Sequence, residues 1–114
     1  LNMEDCIFCK IIKKEIPAKI VYENEKVLAF SDINPQAKHH ILIVPKEHMK
    51  NIEHIKDTST YMDLFDAAIK VAHSLNIHDS GYRLCLNTGP DAGQTVHHVH
   101  MHLIGGQRLS DNMA

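Results

Sequence analysis

The stretch Val96 to Ile104, VHHVHMHLI, constrains the fold more than any other part of the chain. Val96, His98, His100, His102 and Ile104 share one parity, and Val99, Met101 and Leu103 the other. A period of two predicts a strand with three histidines in a row on one face. On a helix, at about 100° per residue, His98 and His102 would share a face while His100 pointed away. On a strand the first and third histidines stand about 13 Å apart, so one ion cannot take all three. Such a row suits an extended polar group, with at least one imidazole left for chemistry.

The rest of the chain supplies partners for that strand. CIFCKIIKKE (6–15) reads as a short helix with Ile7, Phe8, Ile11 and Ile12 inward. KIVYE (19–23) and KVLAFSD (26–32) are strands joined by a hairpin, and DINPQAKHH (32–40) is a loop, because the residue before Pro35 avoids the helical region. HILIVPK (40–46) is an apolar strand buried on both faces and ended by Pro45. DTSTYMDLFDAAIKVAHSLN (57–76) is the long helix, with Met62, Phe65, Ile69, Ala72 and Leu75 as its inward stripe and N-cap candidates from Asp57 to Thr60. GYRLCLN (81–87) is a fourth strand, and TVHHVHMHLIGG (95–106) a fifth that ends at its glycine pair. The expected fold is α+β, a five-stranded, mostly antiparallel sheet with one long and one short helix, in a single domain spanning 1–114.

Composition narrows the function. A chain of 114 residues, 44% hydrophobic and 23% charged, can bury about two thirds of its unfolded surface without staples. No apolar run approaches the roughly 18 residues of a membrane span and no signal-peptide pattern opens the chain, so the expected setting is the cytoplasm, without membrane association. A net charge of −2 with scattered basic residues lacks the footprint of a nucleic-acid binder, whereas a small anion needs only local donors. Three cysteines in such a chain argue against a disulfide framework. Leu1 and Asn2, ahead of Met3, read as an added remnant.

The loop GPDAGQTV (89–96) precedes the histidine row. Gly89 and Gly93 free the backbone to turn N–H groups toward an anion, and Thr95 adds a hydroxyl. With His98, His100 and His102 immediately following, donors and imidazoles converge as phosphoryl stabilisation requires. A neutral imidazole can attack phosphorus and hold it as a phosphoramidate, splitting one hard displacement into two. The alternative is a solvent-facing row on an edge strand. Cys6-x-x-Cys9 leaves three readings open: half a zinc site, a redox pair, or coincidence. Zinc needs two more ligands, and the chain has surplus histidines. Cys85 reads as a buried apolar residue, His54, His73 and His78 as solvated side chains, and His97 as the start of the strand.

Gly93-Gln94-Thr95-Val96 followed by His98-Val99-His100-Met101-His102-Leu103-Ile104 resembles the His-x-His-x-His signature of the histidine triad superfamily of nucleotidyl hydrolases and transferases. With HLIGG after the triad, it is most similar to the Hint branch, the histidine triad nucleotide-binding proteins. The likeness extends through CIFCKIIKKEIPAKIVYE, VLAFSDINPQAKHHILIVPKEH and GYRLCLNTGPDAGQTVHHVHMHLIGG.

The resemblance implies a homodimeric purine nucleoside phosphoramidate hydrolase whose sheets join across the two-fold, with His100 as nucleophile and no catalytic metal required. It places His102, Thr95, Gly93 and Gln94 on the α-phosphate and leaving group, Asn87 on the phosphate side, Asp32 on the ribose hydroxyls, and Ile7, Phe8, Ile11, Ile16, Phe30, Ile33 and Leu42 around a purine. His40 matches a further active-site histidine, although a structural role fits it equally. The resemblance also implies a structural zinc on Cys6, Cys9, His48 and His98. A dinucleoside polyphosphate hydrolase and a nucleotide-binding adaptor are the alternatives. The tail, 107–114, departs from the Trp-Pro-Pro-Gly ending of animal members, which leaves the leaving amine open.

Overall fold

A computed structural model describes residues 5–112, so Leu1, Asn2 and the last two residues of the tail lie outside the described residues. Helix α1 (Ile7–Ile12) leads into strands β1 (Ile20–Glu23), β2 (Val27–Ser31) and β3 (His39–Pro45). Helix α2 (Ser59–Ser74) follows, then β4 (Tyr82–Cys85) and β5 (Met101–Gly105). The strands form one sheet in the order β1-β2-β3-β5-β4, with every neighbouring pair antiparallel. The fold is therefore α+β, as the alternation predicts. No helix among the described residues is long and apolar enough to cross a membrane.

Side-chain parity divides the sheet into two working faces. The odd positions of the three central strands, Val27 and Ala29, Ile41 and Ile43, Met101 and Leu103, pack into one core with α2. The even positions Leu28, Phe30, Leu42 and Val44 pack into a second core with Phe8, Cys9 and Ile11 of α1. His40 and His102 are even and lie on the α1 side, and His98 and His100, although ahead of the ladder, pack against Phe8 of α1 on that side. Asp32 lies just past β2, and its N–H donates to His40 O at 2.9 Å, extending the ladder by one bond.

Three expectations need correction. In α2 the inward residues are Leu64, Ala67, Ala68, Val71 and Ala72, while Met62, Phe65 and Ile69 are exposed by 74%, 52% and 49%. The helix carries two apolar stripes, and the alanine-rich one faces inward because small side chains let the helix axis approach the sheet closely. In α1, Ile7 is exposed whereas Phe8 and Ile11 are buried. Finally, β5 starts at Met101 and not at Thr95, leaving His98 and His100 in an irregular segment, bent at Val96 to His98, ahead of the ladder. Pairing of β3 with β5 runs from His39/Gly105 to Ile43/Met101 and stops two residues short of Pro45. Pro45 has no N–H to give, its carbonyl accepts from the His98 ring at 2.8 Å, and the N–H of Val99 donates to Met49 O at 2.8 Å.

The glycine pair does close β5. Gly106 has φ +87°, and a Cβ there would lie 2.7 Å from Cδ2 of His39. The helix start is capped in an unanticipated way: Thr58 occupies the cap position without a side-chain bond, and Asp57 accepts from both the N–H and hydroxyl of Ser59. Leu103 has no exposed surface and pairs with Ile41 on one side and Leu84 on the other. Leu103→Ala is expected to destabilise the fold by about 2–5 kcal/mol, measured as a lower urea midpoint with an unchanged slope.

Candidate active site

The even face carries a cavity of about 550 Å³. Phe8, Ile11, Ile16, Phe30 and Leu42 wall its apolar end, with Ile7 and Ile33 at the rim. Ile33 is 90% exposed. Pro17, Ala18 and Val96 also line it, and sequence reasoning missed all three. Asp32, His40, Thr95, His100 and His102 form the polar side. An apolar slot with a few convergent polar groups is the usual form of a small-molecule site.

Hydrogen-bond partners fix the tautomer of each imidazole. His100 Nδ1 lies 2.8 Å from the carbonyl of His98. A carbonyl can only accept, so Nδ1 carries the proton and Nε2 keeps its lone pair. Burial holds the His100 pKa below the ordinary imidazole value, which keeps the ring neutral. The result is an uncharged ring with a free nitrogen at the cavity.

His40 obeys the opposite constraint. The main-chain N–H of Gln36 donates to His40 Nδ1 at 3.0 Å, so the proton of the neutral ring sits on Nε2. That Nε2–H lies 2.9 Å from His102 Nδ1 and 3.4 Å from Asp32 Oδ2. His102 therefore accepts at Nδ1 and retains a donor at Nε2. Burial, with the neighbouring His100 and His40, pushes the His102 pKa down to about 4. Asp32, His40 and His102 lie close enough together to suggest a cation site, yet His40 Nε2 has no lone pair to offer. They form a hydrogen-bonded relay that aims His102 Nε2–H as a donor. Gln36 sets this direction, and nothing in its residue type announces the role.

The loop before the histidines works differently from the expectation. Gly89 N–H donates to Gln94 Oε1 at 2.9 Å, Gly93 N–H to Pro90 O at 3.0 Å, and Gln94 N–H to Gly89 O at 3.1 Å. The Gln94 amide also donates to Lys50 O and Val96 O. Gly89, Gly93 and Gln94 thus spend these groups in shaping the loop, and Thr95 and Val96 are the loop residues that line the cavity. Asn87 does not line it. Asp32 does, although Oδ1 already accepts from Asn34 N–H at 2.8 Å; a carboxylate has lone pairs left for further donors.

His98 is turned away from the cavity into a second cluster. Its Nε2 lies 2.8 Å from Pro45 O, so Nε2 is the donor and Nδ1 presents a lone pair. That nitrogen stands 3.4 Å from Cys6 Sγ, 3.6 Å from Cys9 Sγ and 3.2 Å from His48 Nδ1, and Cys9 Sγ stands 3.2 Å from His48 Nδ1. A tetrahedral zinc with Zn–S of about 2.3 Å and Zn–N of about 2.0–2.1 Å has ligand–ligand edges of roughly 3.3–3.8 Å. The separations match, so these four residues could hold a metal ion and fit zinc. Burial and the adjoining Cys6 push the Cys9 thiol up to about 11, so it ionises only beside a compensating cation. The bond from Val99 N–H to Met49 O brings the neighbours His98 and His48 together.

Of the remaining residues, Cys85 is half-buried on the edge strand β4 and not fully buried as the sequence suggests. His54 and His73 are exposed, but His78 is half-buried and stacks on His73 at 4.0 Å between ring centroids. His97 is half-buried ahead of β5, outside any strand.

Comparison with known proteins agrees with this architecture. The sequence pattern of the HIT domain matches residues 13–109. The chain is 42% identical over 113 residues to purine nucleoside phosphoramidase of Escherichia coli strain K12, covering 97% of this chain and 95% of that protein. The solved structure of a HIT family hydrolase from Clostridium thermocellum superposes with a TM-score of 0.94 at 48% identity, covering 99% of this chain and all of that one. A histidine triad protein from Clostridium difficile gives a TM-score of 0.93 at 40% identity, covering 97% and 98% of the two chains. With the same sheet and the triad carried on its even face, this chain belongs to the HIT domain family.

Proposed function

We propose that the protein hydrolyses purine nucleoside 5′-phosphoramidates, cleaving the P–N bond through a nucleotidyl-histidine at His100. The observation that carries this reading is the bond of His100 Nδ1–H to the His98 carbonyl, which leaves Nε2 nucleophilic at a cavity holding an apolar slot and a carboxylate. The E. coli relative's name supports the substrate class. The base lies between Phe8, Ile11, Ile16, Phe30 and Leu42, and Asp32 accepts from the ribose hydroxyls.

His100 Nε2 attacks phosphorus in line, and the P–N bond breaks as the N–P bond to His100 forms. His102 Nε2–H hydrogen-bonds the departing nitrogen, which leaves as the amine with a proton taken from solvent, so His102 stays a neutral imidazole throughout. The His40 Nε2–H holds His102 Nδ1 and so aims that donor, with the Asp32 carboxylate beside His40. Thr95 donates to the phosphoryl oxygens as charge builds there. Water then attacks the same phosphorus, gives its proton to solvent, and the nucleoside monophosphate leaves with His100 restored.

His100→Ala is expected to lose on the order of 10³-fold or more in turnover while still binding AMP. Incubating the wild type with an adenosine 5′-phosphoramidate ester and quenching should reveal one adenylyl group by intact mass, mapped to His100. Wild-type turnover in the mutant would reject the nucleophile. Faster cleavage of a diadenosine polyphosphate than of the phosphoramidate would move the assignment to dinucleoside polyphosphate hydrolysis, and absence of both activities would leave a nucleotide-binding adaptor.

The cation at Cys6, Cys9, His48 and His98 is zinc in this reading. It supplies a structural crosslink between α1, the segment after β3 and the start of the histidine row. The purified protein should hold about one zinc per chain by elemental analysis, and the Cys6→Ser/Cys9→Ser double variant almost none.

The chain also works as a homodimer. Tyr61, Met62, Phe65 and Ile69 leave an apolar stripe exposed on α2, and β4 is a free sheet edge among the described strands. Phe65→Glu is expected to convert the dimer to a monomer in size-exclusion chromatography with light scattering. A wild-type mass at monomer value would remove this part of the reading.

A further inference from the structure

His98 ties the metal-ligating quartet to the nucleophile with three separate groups. Its Nδ1 faces the two sulfurs and His48, its Nε2–H is held by Pro45 O, and its main-chain carbonyl holds the Nδ1–H of His100. The residue has no exposed surface. The ring that faces the sulfurs and the carbonyl that aims His100 therefore belong to one fully buried residue.

Phe8 makes a second bridge. It sits between Cys6 and Cys9, in the first turn of α1, where Cys9 N–H points at Cys6 Sγ. Its ring meets His100 edge-on at 5.1 Å between centroids and 77°, His98 at 6.0 Å and 77°, and Phe30 at 5.6 Å and 67°. The two cysteines thus carry on one helical turn the side chain that packs against the nucleophile. Where Cys6 and Cys9 are drawn, Phe8 follows.

We propose that a divalent metal on Cys6, Cys9, His48 and His98 sets the aim of His100 Nε2, with His98 and Phe8 as the positioning residues that transmit its presence. This rests on the reading of His100 as the nucleophile. A metal bonded to all four ligands fixes the His98 ring and the first turn of α1 together, which weak thiol–imidazole contacts do not. A misplacement of about 1 Å at a reacting group is enough to slow a step by about 10²-fold. Phe8 and His100 both line the nucleotide cavity and Phe8 also packs on His98, so a ligand filling the cavity is expected to reach the metal site through these contacts.

The test uses the full chain with its metal exchanged for Co²⁺, whose visible bands report tetrahedral thiolate–imidazole ligation. AMP is titrated in, with saturation followed by calorimetry. The bands are expected to shift in step with AMP occupancy. In Phe8→Leu, loaded with the same amount of Co²⁺ and saturated with AMP, that shift should shrink. In parallel, the zinc form and the chelated form are compared by two-bond ¹H–¹⁵N spectra of the histidine rings and by turnover. Chelation is expected to blur the Nδ1–H tautomer of His100 and to lower kcat by about 10²-fold, with AMP affinity changed less than about threefold. Bands unmoved at AMP saturation, or an unchanged kcat and His100 tautomer in folded metal-free protein, would overturn the proposal and leave the quartet a staple. If chelation unfolds the chain, the Co²⁺ titration still decides. Band shifts without any adenylyl group on His100 would reject the nucleophile and leave the coupling standing.

Discussion

The 2.8 Å hydrogen bond from His98 Nε2 to the carbonyl of Pro45 decides what the polar atoms around it can do. It fixes the tautomer of His98, so that Nδ1 presents a lone pair to Cys6, Cys9 and His48. It occupies the carbonyl at the end of β3, where proline already denies the ladder an N–H. With the ring anchored there, the main chain at His98 turns its own carbonyl to His100, which leaves a lone pair on His100 Nε2. Two histidines two residues apart thus present different nitrogens, His98 Nδ1 to the sulfurs and His48, and His100 Nε2 to the cavity. Main-chain carbonyls make both assignments.

The same logic separates the two clusters that proximity alone makes equivalent. Asp32, His40 and His102 gather their ligand-type atoms as tightly as the cysteine quartet does. The difference is the N–H of Gln36, which requires a lone pair on His40 Nδ1 and so a proton on Nε2. One cluster presents lone pairs that a cation could take, and the other a chain of N–H donors. Burial keeps that chain uncharged at His102. A His102 pKa near 4 lies below the unfolded value of about 6.5, so the His102 ring stays neutral at physiological pH. The sign for stability follows: this contribution is intact above about 6.5 and is lost as pH falls toward the folded value, because the unfolded chain takes up the proton first.

Much of this was legible in the sequence because the pleat is periodic. Alternation in VHHVHMHLI put the histidine triad on one parity, whereas VLAFS and HILIV are uninterrupted apolar runs, and only the register of β2, β3 and β5 shows that Phe30, Leu42 and His102 share a face. The rest was hidden for particular reasons. Met62, Phe65 and Ile69 make as regular a helical stripe as Leu64, Ala68 and Val71, and only the fit of alanines against the sheet tells them apart. Gln94 and Gly93 carry suitable groups for a phosphate, but residue type does not reveal that the loop has already consumed them. Gln36 acts through its backbone, which every residue has. Pro45 was readable as the end of β3, though not its consequence that β5 begins only at Met101.

That early end of the ladder has a chemical use. A strand continued from Thr95 would have given His98, His100 and His102 the same pleated surroundings at equal spacing, with no reason for one to leave the row. Stopping the pairing at Ile43/Met101 frees the segment before it to make other bonds. Val99 turns its N–H to Met49 O, which draws His48 alongside His98, and α1 closes over both with its two cysteines. His102 alone of the three stays in the regular ladder, opposite Leu42 and beside His40, where a relay needs fixed spacing. The chain therefore obtains three different histidine environments from one alternating sequence by ending a ladder two residues before a proline.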